Sequence, residues 1–138
     1  MLGCYIHIPF CEKKCHYCDF VITTKMDASY RKAFLKSLKH EIEHWAKKYG
    51  NLHFDTLYFG GGTPSVLDTA EFKEICLKLK DHFDFKQGFE FTLEANPSDV
   101  TTDKFSFFHE MGVNRISLGA QAFQNSLLSH MNRNHESD

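Results

Sequence analysis

The chain has 138 residues, of which 42% are hydrophobic and 25% charged, a composition typical of folded proteins and not of disordered ones. Its net charge is −2 with histidine neutral. This balance does not favour nucleic acid as a partner, which would require a basic stripe. No apolar run approaches the roughly 18 residues of a membrane-spanning helix, and the first residues lack the basic and apolar stretches of a secretory leader.

Short apolar runs alternate with amphipathic stretches along the whole chain. The predicted strands cover residues 4–8, 56–59, 89–94 and 113–118. The predicted helices follow them in turn, over 27–50, 68–83, 101–112 and from 125 to the end of the sequence. This βαβαβαβα order, with helices long enough to be crossovers, predicts an α/β fold with parallel strands. Because a full (β/α) barrel needs eight strands and roughly 250 residues, the pattern corresponds to about half of one.

The first two helices carry the clearest patterns. Apolar residues at three- and four-residue spacing predict a buried stripe on the first helix, formed by Phe34, Leu38, Ile42, Trp45 and Tyr49. The second helix begins with Asp68 and Glu71 at the spacing of a capping box. Its predicted buried face consists of Phe72, Ile75, Cys76, Leu79 and Phe83.

The segment 40–44, His-Glu-Ile-Glu-His, satisfies the zinc-protease pattern of two histidines one helical turn apart. On a helical wheel of about 100° per residue, His40 and His44 fall opposite the apolar stripe. A catalytic zinc also needs a further ligand and a cleft, and the sequence gives no sign of either. The pattern therefore predicts two histidines on a solvated face.

Three of the five cysteines, Cys11, Cys15 and Cys18, lie in one polar loop. An odd cysteine count without a leader argues for metal or redox chemistry in a reducing compartment, the cytoplasm, instead of a disulfide framework. This spacing lets three thiolates hold an iron–sulfur cluster and leave one iron free, unlike the regular two-residue gaps and fourth cysteine of bacterial ferredoxins. The alternatives are a zinc site completed by His16, and three unrelated buried thiols.

Two further motifs follow strands, where a parallel barrel gathers its ligand-binding groups. The segment 60–64, Gly-Gly-Gly-Thr-Pro, follows the second strand, and 94–97, Glu-Ala-Asn-Pro, follows the third. Glycines without Cβ atoms would let the backbone approach a ligand closely, although a plain turn is the alternative. For Glu94 the alternative to a ligand-facing carboxylate is a solvated loop charge.

Together these motifs resemble the radical S-adenosylmethionine (radical SAM) enzymes, whose cluster loop is similar to the segment 5–18 of this chain. The flanking residues resemble more narrowly the oxygen-independent coproporphyrinogen III oxidases and the related heme chaperones of the HemW family. The segments 112–121 and 132–135, Asn-Arg-Asn-His, also occur in the order that this group shows. The resemblance therefore covers nearly the whole chain.

This resemblance implies an α/β fold, a partial radical SAM (β/α) barrel of about four parallel strands with outer helices. Residues 1–138 would be a single domain, the N-terminal half of the barrel, without the remaining strands and the C-terminal domain. Cys11, Cys15 and Cys18 would bind a [4Fe–4S] cluster whose open iron takes the amino and carboxylate groups of S-adenosylmethionine (SAM). The other residues implied to contact SAM are Tyr5, Tyr17, Gly61, Gly62, Thr63, Glu94, Gln121 and Arg133.

The resemblance leaves two functions open, a heme chaperone and an oxidase that decarboxylates coproporphyrinogen III. The oxidases carry a fourth cysteine where this chain has Phe20, and an N-terminal extension where only four residues precede Tyr5. Both departures favour the chaperone. The expected partners are SAM, heme or a porphyrinogen, heme-accepting proteins and an electron donor, with the heme site expected beyond residue 138.

Overall fold

The computed structural model describes residues 1–137. One sheet holds four parallel strands in chain order, β1 (Gly3–Ile8), β2 (His53–Gly61), β3 (Asp84–Ala95) and β4 (Arg115–Leu118). The helices are α1 (Ala28–Tyr49), α2 (Thr69–His82), α3 (Thr102–Glu110) and α4 (Asn125–His130). The predicted α/β order of parallel strands is thus confirmed. Within residues 1–137, no helix is both long and apolar enough to cross a membrane.

The hydrophobic core lies between one face of the sheet and the helices. Phe59 of β2, Phe91 of β3, and Phe72 of α2 are completely buried there. The ring centroid of Phe72 lies 5.3 Å from that of Phe59 and 4.8 Å from that of Phe108 in α3. The other face of the sheet carries mostly polar side chains, among them Tyr58, Glu94 and Ser117, because side chains alternate between the faces of a strand.

The buried stripe of α1 differs from the prediction at several positions, and Phe34 and Tyr49 are only half-buried. Leu38 and Ile42 are buried as predicted, and Leu35 joins them, whereas Trp45 is 42% exposed. The indole ring stacks on Tyr49 at a centroid distance of 5.8 Å, and its Nε1 donates a hydrogen bond to an exposed carboxylate. Because an indole N–H needs such a partner, Trp45 lies at the solvent-exposed edge of the stripe. His40 and His44 are exposed, as predicted.

The predicted start of α2 is confirmed in both halves of the capping box. Asp68 accepts a 2.8 Å hydrogen bond from the backbone N–H of Glu71, and the Glu71 carboxylate accepts one of 3.0 Å in return. Glu71 also pairs with Arg31 of α1, which ties the two helices together. All five residues of the predicted inner face are buried: Phe72, Ile75, Cys76, Leu79 and Phe83.

Replacing Asp68 with alanine is expected to lower the free energy of unfolding by about 1 kcal/mol, because the Glu71 N–H in the first turn loses its acceptor. Asp68→Asn keeps a side-chain oxygen at the same place and should be nearly neutral. Urea unfolding followed by circular dichroism measures both values. Equal losses in the two variants would contradict this reasoning and assign the effect to the charge.

The last helix ends earlier than the sequence predicts. Instead of running to the chain end, α4 stops at His130, and Asn132 adopts a left-handed backbone with φ of 59°. Asparagine tolerates this conformation better than most residues. The chain after α4 therefore turns back toward the cysteine loop, where its side chains find partners.

Candidate cofactor site

A cavity of about 290 Å³ lies at the carboxyl end of the sheet. Its walls come from the cysteine loop, the glycine turn after β2, the ends of β3 and β4, and the segment after α4. The predicted site residues that line it are Cys11, Cys15, Tyr17, Cys18, Gly61, Gly62, Thr63, Glu94, Gln121 and Arg133. Motifs far apart in sequence thus meet at the strand ends, where parallel α/β folds bind their ligands.

The three thiols of the loop are free, and all three line the cavity. Cys11 is buried, and its Sγ lies 3.5 Å from the Thr63 hydroxyl, whereas Cys15 and Cys18 are half-buried. Burial raises the pKa of the Cys11 thiol, the nearby Cys18 and Cys15 act in the same direction, and the Thr63 hydrogen bond opposes them. A metal that bound at Cys11 would therefore have to displace a proton.

These thiols are not arranged around a single point. In residues 1–137 no group of three or more His, Cys, Asp or Glu side chains is placed to hold one metal ion. His16, the fourth ligand of the zinc alternative, instead has its Nδ1 2.7 Å from the carbonyl oxygen of His130. A cubane cluster takes each thiolate on a different iron, so its ligands do not have to converge on one ion.

The glycine turn joins the end of β2 to the base of the cysteine loop. Gly61 has φ of 110°, and a Cβ there would lie 2.4 Å from the His7 ring. A Cβ on Gly62 would lie 2.7 Å from the carbonyl oxygen of Phe10, immediately before Cys11. The backbone N–H of Thr63 donates a 2.7 Å hydrogen bond to that same oxygen. Close packing against β1 thus requires the glycines, and it also places the thiol loop over the cavity.

Glu94 is held at the cavity wall by two hydrogen bonds. Its Oε1 accepts from the Tyr58 hydroxyl at 2.7 Å and its Oε2 from the backbone N–H of Gly61 at 3.1 Å. The reading of Glu94 as a solvated loop charge is therefore wrong. Burial and the bond to Glu94 both raise the pKa of Tyr58. Sequence reasoning missed Tyr58, although its place two residues before Gly60 puts both on the same side of β2.

Tyr5 is the one predicted contact that lies outside the cavity lining. Its ring centroid is 6.0 Å from that of Tyr58, on the same polar face of the sheet, and its hydroxyl lies 3.1 Å from His7 Nδ1. The Tyr5 side chain is 55% exposed. A direct role for Tyr5 at the cofactor therefore stays a prediction.

Arg133 connects three parts of the cavity wall. Its Nη1 donates to the Cys15 sulfur at 3.2 Å, and its Nη2 donates to Asn96 Oδ1 at 2.6 Å and to the Gly119 carbonyl oxygen at 2.7 Å. Its Nε is buried without a partner among the described residues. The sequence predicted Arg133 as a cofactor contact but missed Asn96, whose only signal is its place in the 94–97 motif.

Comparison with known proteins identifies the family of this chain. Residues 5–138 match the model of the radical SAM superfamily, and the chain belongs to that superfamily. The oxygen-independent coproporphyrinogen III oxidase (HemN) from Escherichia coli, described as a radical SAM enzyme, has a solved structure that matches 98% of this chain. The match has a TM-score of 0.91 at 30% identity and covers 31% of that enzyme. The predicted family and four-stranded fold are confirmed.

The curated relatives carry two different names. The heme chaperones HemW of Lactococcus lactis subsp. lactis (strain IL1403) and Bacillus subtilis (strain 168) are each 37% identical over 95% and 99% of this chain. The oxygen-independent coproporphyrinogen III oxidase of Salmonella typhimurium (strain LT2) is 30% identical over 99% of it. The chain spans 33%, 36% and 30% of these three proteins, about a third of their length.

Proposed function

We propose that the chain binds a [4Fe–4S] cluster through Cys11, Cys15 and Cys18, with SAM beside it, as part of a heme chaperone of the HemW kind. The observation that carries this proposal is that the three thiols, the glycine turn and Glu94 line one cavity. When bound, the cluster would supply single-electron reduction of SAM. The whole protein would bind heme, draw on an electron donor and deliver heme to acceptor proteins in the cytoplasm.

The side chains of the cavity fit both groups. Three free thiols on one wall offer a cluster all but one of the ligands that it needs. The Glu94 carboxylate, fixed by Tyr58 and Gly61, offers a negative charge to the ammonium of the methionine part of SAM. The unpartnered Nε of Arg133 is a buried donor that an oxygen of a bound ligand would satisfy.

Three remaining predicted contacts belong to the same proposal. Tyr17 is half exposed at the cavity rim, where its hydroxyl lies 3.4 Å from Nη1 of Arg133. Gln121 has a left-handed backbone with φ of 65°, three residues after the end of β4. Thr63 is buried beside Cys11. These positions would enclose a nucleotide between the thiol loop and the strand ends.

The chaperone is favoured over the oxidase on two grounds. The HemW relatives are 32–37% identical and the oxidase relatives 30%. Phe20, at the position of the oxidases' fourth cysteine, lines the cavity and is 69% exposed. The oxidase stays a second candidate because a solved structure that matches nearly the whole chain is an oxidase.

Anaerobic reconstitution tests the cofactor proposal. With iron, sulfide and dithiothreitol, the wild-type chain should take up about four irons and about four sulfides. Electron paramagnetic resonance of the dithionite-reduced sample should change when SAM is added, because SAM would bind the open iron. One zinc without sulfide, or a spectrum that is indifferent to SAM, would contradict the proposal.

Heme binding separates the two candidate functions. The intact gene product should bind heme with a Soret band that titrates to saturation, and it should release no CO₂ from coproporphyrinogen III in the presence of SAM and reductant. The control is the same assay on an authentic coproporphyrinogen oxidase. Stoichiometric CO₂ release without saturable heme binding would replace the chaperone by the oxidase.

A further inference from the structure

The segment after α4 runs along the cysteine loop and is hydrogen-bonded to it. The backbone N–H of His16 donates to the Met131 carbonyl oxygen at 3.2 Å, and Nδ2 of Asn132 donates to the Lys14 carbonyl oxygen at 2.8 Å. Two further side-chain contacts join the same two segments, from Asn134 Nδ2 to Glu12 Oε2 at 2.6 Å and from His16 Nδ1 to the His130 carbonyl oxygen at 2.7 Å. We call this set of contacts the seam. These contacts join residues more than a hundred positions apart in sequence.

The loop has little regular structure of its own. Residues 12–20 form neither helix nor strand, and most of their side chains are exposed. At its start, the backbone N–H of Cys11 donates to the Thr23 carbonyl oxygen at 3.0 Å, and within it the N–H of Cys18 donates to the Cys15 carbonyl oxygen at 3.1 Å. A loop so weakly organised samples many conformations unless other parts of the chain restrict it.

Arg133 stands at the centre of the seam. Its guanidinium binds the Cys15 sulfur on one side, and Asn96 after β3 and Gly119 after β4 on the other. A planar fork of several N–H donors can hold these groups together, whereas a lysine ammonium acts as a single compact charge. The left-handed backbone at Asn132 aims the segment into this position.

We propose that residues 130–134 form a clasp that holds the cysteine loop in place before iron arrives, with Arg133 as its central positioning residue. The seam holds Cys15 at the cavity through hydrogen bonds between protein groups, none of which involves a metal. The benefit to cluster binding rests on the proposed function, but the ordering of the metal-free loop does not. The clasp therefore makes a prediction for the chain without any cofactor.

The test compares Arg133→Lys and Asn132→Asp with the wild-type chain, metal-free and reduced. Arg133→Lys keeps the positive charge near Cys15 but loses the fork. Asn132→Asp keeps the side-chain size and the tolerance for positive φ but loses the N–H that reaches Lys14. Both variants should show about three- to tenfold faster iodoacetamide alkylation of Cys15 and Cys18, together with faster hydrogen exchange over residues 12–18.

Two matched substitutions and one internal reporter control this test. Arg115→Lys alters an arginine on β4 that binds Glu90 and Thr92 outside the cavity, and Asn51→Asp alters an exposed turn; both should leave the loop rates unchanged. Cys76 is 1% exposed in the core and reports global unfolding. Its alkylation rate should stay constant in every variant.

Unchanged loop rates in both clasp variants would overturn the clasp. So would a parallel rise at Cys76, since it would show that the whole fold loosens. If Arg133→Lys fails to fold, Asn132→Asp decides alone. A final arm adds iron and sulfide and then follows iron loss to a chelator, which should be about three- to tenfold faster in the variants. If alkylation and hydrogen exchange of the loop are faster in the variants as expected, but the wild-type chain takes up no iron, the proposed function is rejected and the clasp is still supported.

Discussion

Cys15→Ala should reduce the iron retained after anaerobic reconstitution from about four atoms per chain to near none. The proposed cluster has three protein ligands, and this substitution removes one of them. It also takes from Arg133 the sulfur that accepts its 3.2 Å hydrogen bond, which leaves a half-buried guanidinium with one partner fewer. Iron and sulfide are counted after gel filtration under argon.

Cys4→Ala is the matched control, because it removes a thiol outside the cavity. Cys4 lies in β1, outside the lining of the cavity, where burial raises its pKa to about 11. This variant should retain its iron. The assignment would be refuted by full iron in Cys15→Ala, or by an equal loss in Cys4→Ala.

Most of the site was predictable because it depends on local patterns that share one geometric rule. The thiols follow β1, the glycine turn and Glu94 lie at the ends of β2 and β3, and in a parallel sheet all strands end on the same side. The capping box of α2 was predictable for a similar reason, since both partners lie within one helical turn. Short-range sequence patterns and the parallel order of the strands were enough to predict these features.

The features that escaped prediction depend on contacts between distant residues. Nothing near Arg133 in the sequence indicates that its fork binds Cys15 and Asn96. The same distant contacts explain why the chain after α4 packs on the cysteine loop when the periodicity predicted a continuing helix. Trp45 has the spacing of a core residue, but helical spacing alone does not show where the core ends.

Gly61→Ala is expected to lower the free energy of unfolding by about 2–5 kcal/mol. At φ of 110° any side chain is strained, and the new Cβ would lie 2.4 Å from the His7 ring. To make room, the His7 ring would have to give up the contact of its Nε2 with the Val21 carbonyl oxygen, at 2.8 Å. The backbone strain costs about 1–2 kcal/mol, and overpacking adds about 1–3 kcal/mol.

Gly88→Ala separates these two contributions. Gly88 also has a positive φ, 72°, but a Cβ there would meet nothing within 4 Å, so only the backbone strain of about 1 kcal/mol remains. Urea unfolding of both variants gives the difference, which measures the contact of Gly61 with His7. Because His7 binds the far end of the cysteine loop through Val21, Gly61→Ala should also lose iron on reconstitution while Gly88→Ala keeps it. Equal destabilisation of the two variants would mean that the glycine turn is an ordinary turn, with no part in holding the thiol loop over the cavity.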